Sequence, residues 1–366
     1  MTKRNQIQQN ALIEVIKYKR CSAVMSMGAG KTKLGLMHMQ YYLHDQSKFL
    51  VVAPKRSIFQ SWIDDCKKFE CEELLEHITF TTYLSLSKNK IDYDCVYLDE
   101  MHSLLDSHLE WLEGYRGRIL GLTGTPPKRG AKASIVFNYC PIKFTYTVDT
   151  AIDDKILNDY EIHVHTIPLD SRSNIKKESK NGTWYTSEYK LYSYWNNKLQ
   201  NASSDKELKF LRIMRMKTLM SLPSKENYTL KLMNNTNNKC IIFANTKEQA
   251  DKLCKFSYYS GNKQSEENLQ KFKEGSIDRL SCVLQLSEGI NIPNLKEGII
   301  LHSYSNERKS NQRIGRLLRL SPDEKSIVHV LCYSNTIDEA WVKEALSDLD
   351  QSKITWKNIN QLELEL

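Results

Sequence analysis

The chain has 366 residues, of which 40% are hydrophobic and 26% are charged. These values are ordinary for a globular protein, and the length suggests two or three domains that need no disulfide or metal to fold. No apolar run reaches the roughly 18 residues of a membrane-spanning helix, so we expect no membrane partner. The formal charge of +8 is concentrated, because residues 172–231 hold thirteen Lys/Arg and five Asp/Glu. Positive charge gathered in one stretch favours a nucleic-acid partner.

The nine cysteines are scattered from Cys21 to Cys332 and lack the paired spacing that a zinc site usually shows. We therefore expect reduced thiols, several of them within apolar strands. The first thirty residues are polar and do not resemble a signal peptide. Together these features predict a cytoplasmic protein, whether in its own cell or in an infected host cell.

The first 150 residues alternate short apolar runs with segments of helical pattern. The helical segments include residues 32–42 and 57–69. The apolar runs are residues 22–25, 49–53, 78–81, 95–98, 119–122 and 144–148. Continuous apolar runs that alternate with helices are typical of a parallel sheet covered by helices on both faces.

The pattern changes after residue 150. The sequence predicts a short helix over residues 151–157 and an alternating segment over residues 160–168, and residues 172–235 are polar, basic and helical. The α/β pattern then resumes, with apolar runs at residues 240–244, 281–286, 298–302 and 327–332. The sequence therefore predicts an α/β fold with two parallel-sheet domains in tandem. The predicted parts are domain 1 over residues 1–150, a crossover and basic helical insertion over 151–235, and the rest of domain 2 over 236–366.

Residues 28–32, with the sequence Gly-Ala-Gly-Lys-Thr, follow the first apolar run and open a predicted helix. That is the context that a phosphate-binding loop requires. Its glycines let the backbone approach phosphates, Lys31 can reach the β and γ phosphates, and the Thr32 hydroxyl can hold Mg²⁺. The alternative is an ordinary tight turn between strand and helix. Met25 stands where the general pattern has glycine, so the match is incomplete.

Asp99 and Glu100 follow the apolar run at residues 95–98. Ligands of an open α/β sheet bind beyond the carboxyl ends of its strands. We therefore expect Asp99 to hold the Mg²⁺ that bridges the phosphates, and Glu100 to orient and deprotonate the attacking water. A solvated strand end is the alternative, and the phosphate loop upstream in the same domain favours the catalytic interpretation.

Arg313, Arg316 and Arg319 recur at three-residue spacing in the second predicted domain, so on a helix they share a face. The planar guanidinium donates hydrogen bonds in pairs and suits phosphates. An arginine supplied to the γ-phosphate typically raises the rate by ~10³–10⁵. Supplied from another domain, it would also make hydrolysis depend on the domain arrangement. A solvated basic helix is the alternative, and the apolar Ile314 and Leu317 argue against it.

Together these segments resemble the motifs of superfamily 2 helicases of the DExH/DEAH-box kind, over nearly the whole chain. The matching segments are residues 27–32, 52–55, 99–102, 121–127, 241–245, 287–293 and 312–319, which resemble motifs I, Ia, II, III, IV, V and VI in that order. The resemblance implies two RecA-like domains, a nucleic-acid-stimulated ATPase, and ATP and Mg²⁺ as cofactors. The small size and residues 151–170 are most similar to compact bacteriophage-encoded DNA helicases.

The resemblance also implies roles for individual residues. The implied nucleotide-binding residues are Gln8, Gly28, Ala29, Gly30, Lys31, Thr32, Gly289, Asn291 and Gln312. The implied catalytic residues are Lys31, Asp99, Glu100, Arg316 and Arg319, and the implied coupling residues are His102, Thr123 and Thr125. The implied nucleic-acid contacts are Pro54, Lys55, Thr82, Asn245 and Ser287. Gln8 lies 23 residues before Lys31, where these families often place an adenine-reading glutamine. Asn291 carries an amide where motif V often has a carboxylate.

Aromatic and basic residues are interleaved in the predicted insertion. Tyr185, Tyr189 and Tyr192 recur at core-facing helical spacing, and we interpret them as a small core rather than as a stacking platform for bases. The basic face is expected to contact nucleic acid through Lys209, Arg212 and Arg215.

The leading hypothesis is an ATP-dependent helicase or translocase, acting on DNA rather than RNA. The alternatives are a duplex translocase or remodeller that does not separate strands, an RNA helicase, and a binding module with a degenerate ATPase. The intact Lys31, Asp99 and Glu100 argue against the last of these. A phosphate-loop kinase or GTPase is a further alternative, and the second α/β domain with its arginines argues against it.

Overall fold

The structure is a computed structural model, and it describes residues 2–26, 28–127, 130–179, 182–283, 292–302, 324–347 and 349–360. The chain forms two compact units, whose boundary in the sequence lies between Asn158 and Asp159. Within the described ranges, none of the helices combines the length and the apolar character that a bilayer crossing requires.

The first unit is built on a six-stranded parallel sheet with the strand order β3-β2-β4-β5-β1-β6. Its strands are β1 Arg20–Met25, β2 Phe49–Ala53, β3 Ile78–Thr82, β4 Cys95–Asp99, β5 Arg118–Thr123 and β6 Ile142–Tyr146. Its helices are α1 Lys3–Val15, α2 Lys31–Tyr41, α3 Ser57–Lys68, α4 Leu109–Gly114, α5 Ala131–Tyr139 and α6 Val148–Asp153. Short 3₁₀ helices span Glu72–His77, Tyr83–Lys88, Met101–Ser103 and Asp106–His108.

The second unit contains a seven-stranded parallel sheet with the order β11-β12-β10-β13-β14-β7-β15, and a separate hairpin. Its strands are β7 Asp159–Ile167, β8 Ile175–Ser179, β9 Gly182–Thr186, β10 Cys240–Ala244, β11 Ser257–Tyr258, β12 Arg279–Val283, β13 Glu297–Ile300, β14 Lys325–Tyr333 and β15 Ile354–Asn358. Its helices are α7 Glu188–Gln200, α8 Asp205–Ser221, α9 Pro223–Asn234, α10 Lys247–Leu253, α11 Ser265–Glu274 and α12 Ile337–Ala345, with a short 3₁₀ helix at Gln351–Lys353.

The predicted α/β fold with two parallel sheets is confirmed. All residues of β2, β4 and β10 are buried, as expected for strands that are covered on both faces. Each predicted apolar run overlaps a strand of one of the two sheets. The helix expected over residues 151–157 begins earlier, at Val148, because the Thr147 hydroxyl accepts a hydrogen bond from the Thr150 N–H and caps it.

The prediction of a wholly helical basic segment was wrong at its start, where β8 and β9 form an antiparallel hairpin. The edge strands β11 and β15 of the second sheet were also not predicted. Strand β15 is mostly exposed, and β8 carries one apolar residue among five. Strands β8 and β15 have no buried face, so their sequences lack the apolar pattern by which strands are recognised. Strand β11 is buried but only two residues long, which is too short to show a pattern.

A chain of buried hydrogen bonds crosses the second sheet. Although burial opposes its ionisation, hydrogen bonds from His329 and Thr236 hold the pKa of Glu297 below its usual value. The Glu297 carboxylate accepts from His329 Nε2 at 2.9 Å, so His329 Nδ1 accepts from His165 Nε2, also at 2.9 Å. His165 Nδ1 then accepts from the Tyr228 hydroxyl at 3.0 Å. Neutral His165 thereby has a hydrogen-bond partner at each of its two ring nitrogens.

Acid should therefore destabilise the folded chain. Burial lowers the pKa of His165 to about 3, and it lowers the pKa of His38 in the first unit to about 3 as well. An unfolded histidine takes up a proton below about pH 6.5, so the unfolded chain binds more protons as the pH falls. Above pH 6.5 the protonation of these histidines does not reduce the free energy of unfolding. At pH 5 it has reduced that free energy by about 2 kcal/mol for each histidine. We expect a lower midpoint of thermal unfolding at pH 5 than at pH 7.5, measured by circular dichroism.

A His165→Gln variant separates this effect from the titration of carboxylates. It should unfold at a lower temperature at pH 7.5 but lose less stability than the wild type on acidification. An equal loss in both proteins would show that His165 does not carry the pH dependence.

Candidate active site

Three strand ends of the first sheet come together at one edge. Strand β5 lies between β1 and β4, and the register places Val24 beside Thr123 and Leu122 beside Asp99. All three strands are parallel, so the loops that follow them leave the sheet at the same edge. The phosphate loop, the acidic pair and Thr123 therefore belong to one site.

The backbone of the phosphate loop uses two left-handed glycines. Gly28 has φ +83° and Gly30 has φ +94°, a region that side chains with a Cβ rarely adopt. Helix α2 begins at Lys31 without a side-chain cap. The first N–H groups of a helix lack intrahelical acceptors, so this end is suited to an anion.

Gln8 of α1 is buried against the phosphate loop. Its Nε2 donates to the Ala29 carbonyl at 2.9 Å, and a Cβ on Gly30 would lie 2.1 Å from the same nitrogen. Its Oε1 is buried without a hydrogen-bond partner among the described residues. Gln8 therefore supports the loop and still holds a buried acceptor, of the kind that an amino group of a ligand could satisfy.

The Asp99 carboxylate ends the buried strand β4 and is 8% exposed. Its Oδ2 accepts a hydrogen bond from the indole Nε1 of Trp62 at 2.9 Å, and its main-chain carbonyl accepts from the Tyr83 hydroxyl at 2.9 Å. Two side chains from other elements thus hold the residue that the sequence predicts to bind Mg²⁺. No sequence motif pointed to Trp62, because a tryptophan in a polar helix reads as an ordinary core residue.

Glu100, His102 and Thr123 form a compact polar cluster. The Thr123 hydroxyl lies 3.2 Å from Glu100 Oε2 and 3.0 Å from His102 Nδ1, and His102 Nδ1 lies 3.3 Å from Glu100 Oε2. The Thr125 N–H also donates to the Thr123 hydroxyl, at 3.2 Å. Glu100 has φ +50°, which is uncommon for a residue with a side chain. The structure thus brings the predicted general base together with all three predicted coupling residues.

The predicted nucleic-acid contacts of the first unit lie at neighbouring strand ends. Strands β2 and β3 pair with Ala53 beside Thr82, so Thr82 lies next to the turn that contains Pro54 and the exposed Lys55. In the second unit, Asn245 follows β10, and its Nδ2 contacts the sulfur of Met220 at 2.9 Å.

The basic insertion differs in part from the expectation. Lys209 and Arg212 of α8 are exposed, whereas Arg215 is partly buried and donates from Nη1 to Asn196 Oδ1 of α7 at 2.8 Å. Burial lowers the pKa of Arg215, which fits a structural position between the two helices.

The prediction that three tyrosines form a small core holds only for Tyr192, which is buried in the core of the second unit. Tyr185 and Tyr189 are 61% and 58% exposed. Tyr185 lies in strand β9 rather than in a helix, so it shares no helical face with the other two tyrosines.

Several predicted site residues lie outside the described residues. They are Ser287, Gly289, Asn291, Gln312, Arg316 and Arg319. Their roles stay predictions.

The described residues fit a magnesium-bound nucleoside triphosphate. The glycine turns and the uncapped start of α2 suit phosphates, and the Gln8 acceptor suits an amino group. Asp99 and Thr32 offer the oxygen ligands that Mg²⁺ prefers. Among the described residues, no cluster of three or more His, Cys, Asp or Glu is placed to hold a metal ion by itself.

Two segments of the chain match known protein families. Residues 2–128 match the family of the type III restriction enzyme res subunit, and residues 224–321 match the helicase conserved C-terminal domain. A curated relative, the DNA 3'-5' translocase XPB2 of Sulfurisphaera tokodaii, is 24% identical over an alignment that covers 88% of this chain and 80% of the relative.

Solved structures share the fold at low identity. The restriction-modification enzyme LlaBIII bound to DNA matches 99% of this chain with a TM-score of 0.63 and 15% identity. This chain corresponds to only 32% of the LlaBIII chain. The Hef helicase domain of Pyrococcus furiosus matches 92% of this chain and 96% of its own, with a TM-score of 0.54 and 13% identity. These similarities show a tandem RecA-like fold.

The contact between Gly30 and Gln8 can be tested with a Gly30→Ala variant. An alanine at this φ strains the backbone by about 1–2 kcal/mol, and its Cβ collides with the Gln8 amide, so either the loop or the buried Gln8 side chain must shift. We expect ATP affinity to fall at least about tenfold, measured by titration with a fluorescent ATP analogue.

Gly275→Ala is the matched control, because Gly275 has φ +80° and a Cβ added there would meet no atom of the described residues within 4 Å. It should cost similar backbone strain and leave ATP affinity unchanged. Unchanged affinity in Gly30→Ala would contradict the assignment of the loop.

Proposed function

We propose that the chain acts as a superfamily 2 helicase, which hydrolyses ATP and uses the energy to move along or unwind DNA. Its matches to the type III restriction enzyme res subunit and to the helicase conserved C-terminal domain support this proposal. The observation that carries the proposal is the contact of Glu100 with Thr123 and His102 beside the phosphate loop. A carboxylate held in this way can align a water molecule without changing its own position during the reaction.

We propose the following roles at the ATP site. Lys31 and the backbone of the phosphate loop bind the β and γ phosphates, and Thr32 and Asp99 hold Mg²⁺. The ion that Thr32 and Asp99 would hold would supply positive charge against the phosphate oxygens. Glu100 orients the attacking water and accepts its proton. Arg316 and Arg319 are proposed to stabilise the transferred phosphoryl group.

The proposed coupling runs through Thr123. Its hydroxyl contacts Glu100, His102 and the Thr125 backbone together, so a shift of the Thr123–Thr125 turn would move the general base. We therefore propose that His102 and Thr125 couple ATP hydrolysis to movement of the surrounding loops. Binding of nucleic acid is proposed to shift the same cluster and so to alter the rate of hydrolysis.

DNA is the proposed substrate, in replication, recombination or repair. The proposal draws on the relative described as a DNA translocase. Movement along duplex DNA without strand separation is the second candidate, because that relative is described as a translocase and not as a helicase. An RNA substrate is the third. We also propose a cytoplasmic location, and the resemblance to bacteriophage-encoded helicases stays a prediction.

The basic insertion supplies a surface for the nucleic acid. In the hairpin, Lys176 pairs with Tyr185 and Lys177 pairs with Trp184, so each face presents one lysine and one aromatic ring. Trp184 is 49% exposed. Exposed rings can stack on bases while lysines meet phosphates, and every base offers such a face. The exposure of these rings therefore favours a contribution to nucleic-acid binding.

ATP hydrolysis should be stimulated by nucleic acid and abolished by Lys31→Ala or Glu100→Gln. The first change removes a phosphate ligand, and the second removes the proton acceptor. The assay compares turnover with single-stranded, duplex, forked and four-way DNA and with RNA. If none of these nucleic acids raises the rate of ATP hydrolysis, the proposal of movement along nucleic acid is wrong. Normal turnover in either variant would overturn the site assignment.

Replacing Lys209 and Arg212 by Gln should weaken DNA binding and reduce its dependence on salt. Each lost phosphate contact should lower the slope of log K against log salt by roughly 0.7–0.9. Binding would be measured by fluorescence anisotropy over a range of salt concentrations. Trp184→Ala should weaken binding with little change of slope, because stacking releases no counterions.

Lys263→Gln serves as the charge control, since Lys263 is exposed and lies outside the basic stretch. Arg215→Gln should instead destabilise the protein, because its guanidinium links α8 to Asn196. An unchanged salt slope in the Lys209 and Arg212 double variant would refute the proposed contact.

A further inference from the structure

Helix α3 places one fully buried tryptophan against the candidate active site. Trp62 has no exposed surface, and its indole N–H donates to Asp99 Oδ2 at 2.9 Å. An indole nitrogen only donates hydrogen bonds, so it pairs with a carboxylate oxygen and never competes with that carboxylate for a cation. The contact is thus suited to a carboxylate that binds a metal through its remaining lone pairs.

The Trp62 ring packs closely against Gly35 of α2. A Cβ on Gly35 would lie 2.5 Å from Cη2 and 3.0 Å from Cζ3 of Trp62, so only glycine leaves room for the ring. The ring also lies 6.3 Å from the ring of Tyr97 on β4, measured between centroids. With its ring enclosed between α2 and β4, Trp62 has little freedom to turn its N–H away from Asp99.

We propose that Trp62 is a positioning residue that orients the Asp99 carboxylate for Mg²⁺, with Gly35 providing the space for its ring. This inference rests on the proposed function, because it assumes that Asp99 binds the ion that accompanies ATP. Outer groups that orient a metal ligand typically contribute about 10–100-fold to metal affinity. Trp62 itself touches neither the ion nor the nucleotide in this assignment.

The test is a Trp62→Phe variant, which keeps an aromatic ring beside Gly35 and removes the N–H. Binding of a fluorescent ATP analogue would be measured over a Mg²⁺ titration and again in excess EDTA. The Mg²⁺ concentration for half-maximal binding should rise roughly tenfold. Affinity in EDTA should stay at the wild-type value, because the phosphate loop is unchanged. A merely structural role for Trp62 would alter both measurements together.

Trp111→Phe is the matched control. Trp111 is also buried in the first unit, but its indole donates to the Asn89 carbonyl at 2.9 Å and not to a carboxylate. It should lose similar stability and keep the wild-type Mg²⁺ dependence. An unchanged Mg²⁺ requirement in Trp62→Phe, or an equal rise in Trp111→Phe, would overturn the inference.

Gly35→Ala tests the same geometry without removing the indole. Its Cβ would displace the ring, so we expect a higher Mg²⁺ requirement with the tryptophan still present. This variant keeps the inference testable if Trp62→Phe does not fold. If wild-type protein binds no nucleotide in a Mg²⁺-dependent way, the proposed function fails; if it does and neither variant changes that dependence, only the role of Trp62 fails.

Discussion

The parallel order of the six-stranded sheet is the constraint on which the candidate active site depends. With β5 between β1 and β4, the phosphate loop, Thr123 and Asp99 leave the sheet at one edge although they are far apart in the sequence. A reversed strand would carry its loop to the opposite edge. Burial of the strands on both faces keeps this order, because a shift of β4 would expose its apolar side chains to water.

Local strain at the acidic pair is balanced by contacts at its side chains. A left-handed conformation at a non-glycine residue costs about 1–2 kcal/mol, and Glu100 adopts it directly after a buried strand. This turn places the Glu100 carboxylate 3.2 Å from the Thr123 hydroxyl and 3.3 Å from His102 Nδ1, and these contacts fix its position. Asp99, one residue earlier, is fixed by Trp62 and Tyr83. Neighbouring carboxylates are thus held apart by different partners, which lets them serve different functions.

The sequence predicts the features that are written in local patterns. Strands such as β2 and β10 are continuous apolar runs, and the phosphate loop and acidic pair are short motifs at strand ends, so both were recognisable. The hairpin β8–β9 has no buried face, and its exposed Tyr185 was mistaken for part of a helical stripe. Trp62 could not be assigned, because its contact with Asp99 joins residues 37 positions apart. Arg215 resembles its exposed neighbours in sequence, and only the packing of α7 against α8 distinguishes it.

Helix α3 connects two surfaces that the proposed function needs. It begins at Ser57, just after Pro54 and Lys55, where the sequence predicts contact with nucleic acid. Trp62, about one and a half turns further along, donates its indole N–H to Asp99. A twelve-residue helix transmits displacement as a rigid body, whereas a loop of that length would absorb it. A displacement of α3 at the end of β2 would therefore also move the Trp62 indole that contacts Asp99, the proposed metal ligand.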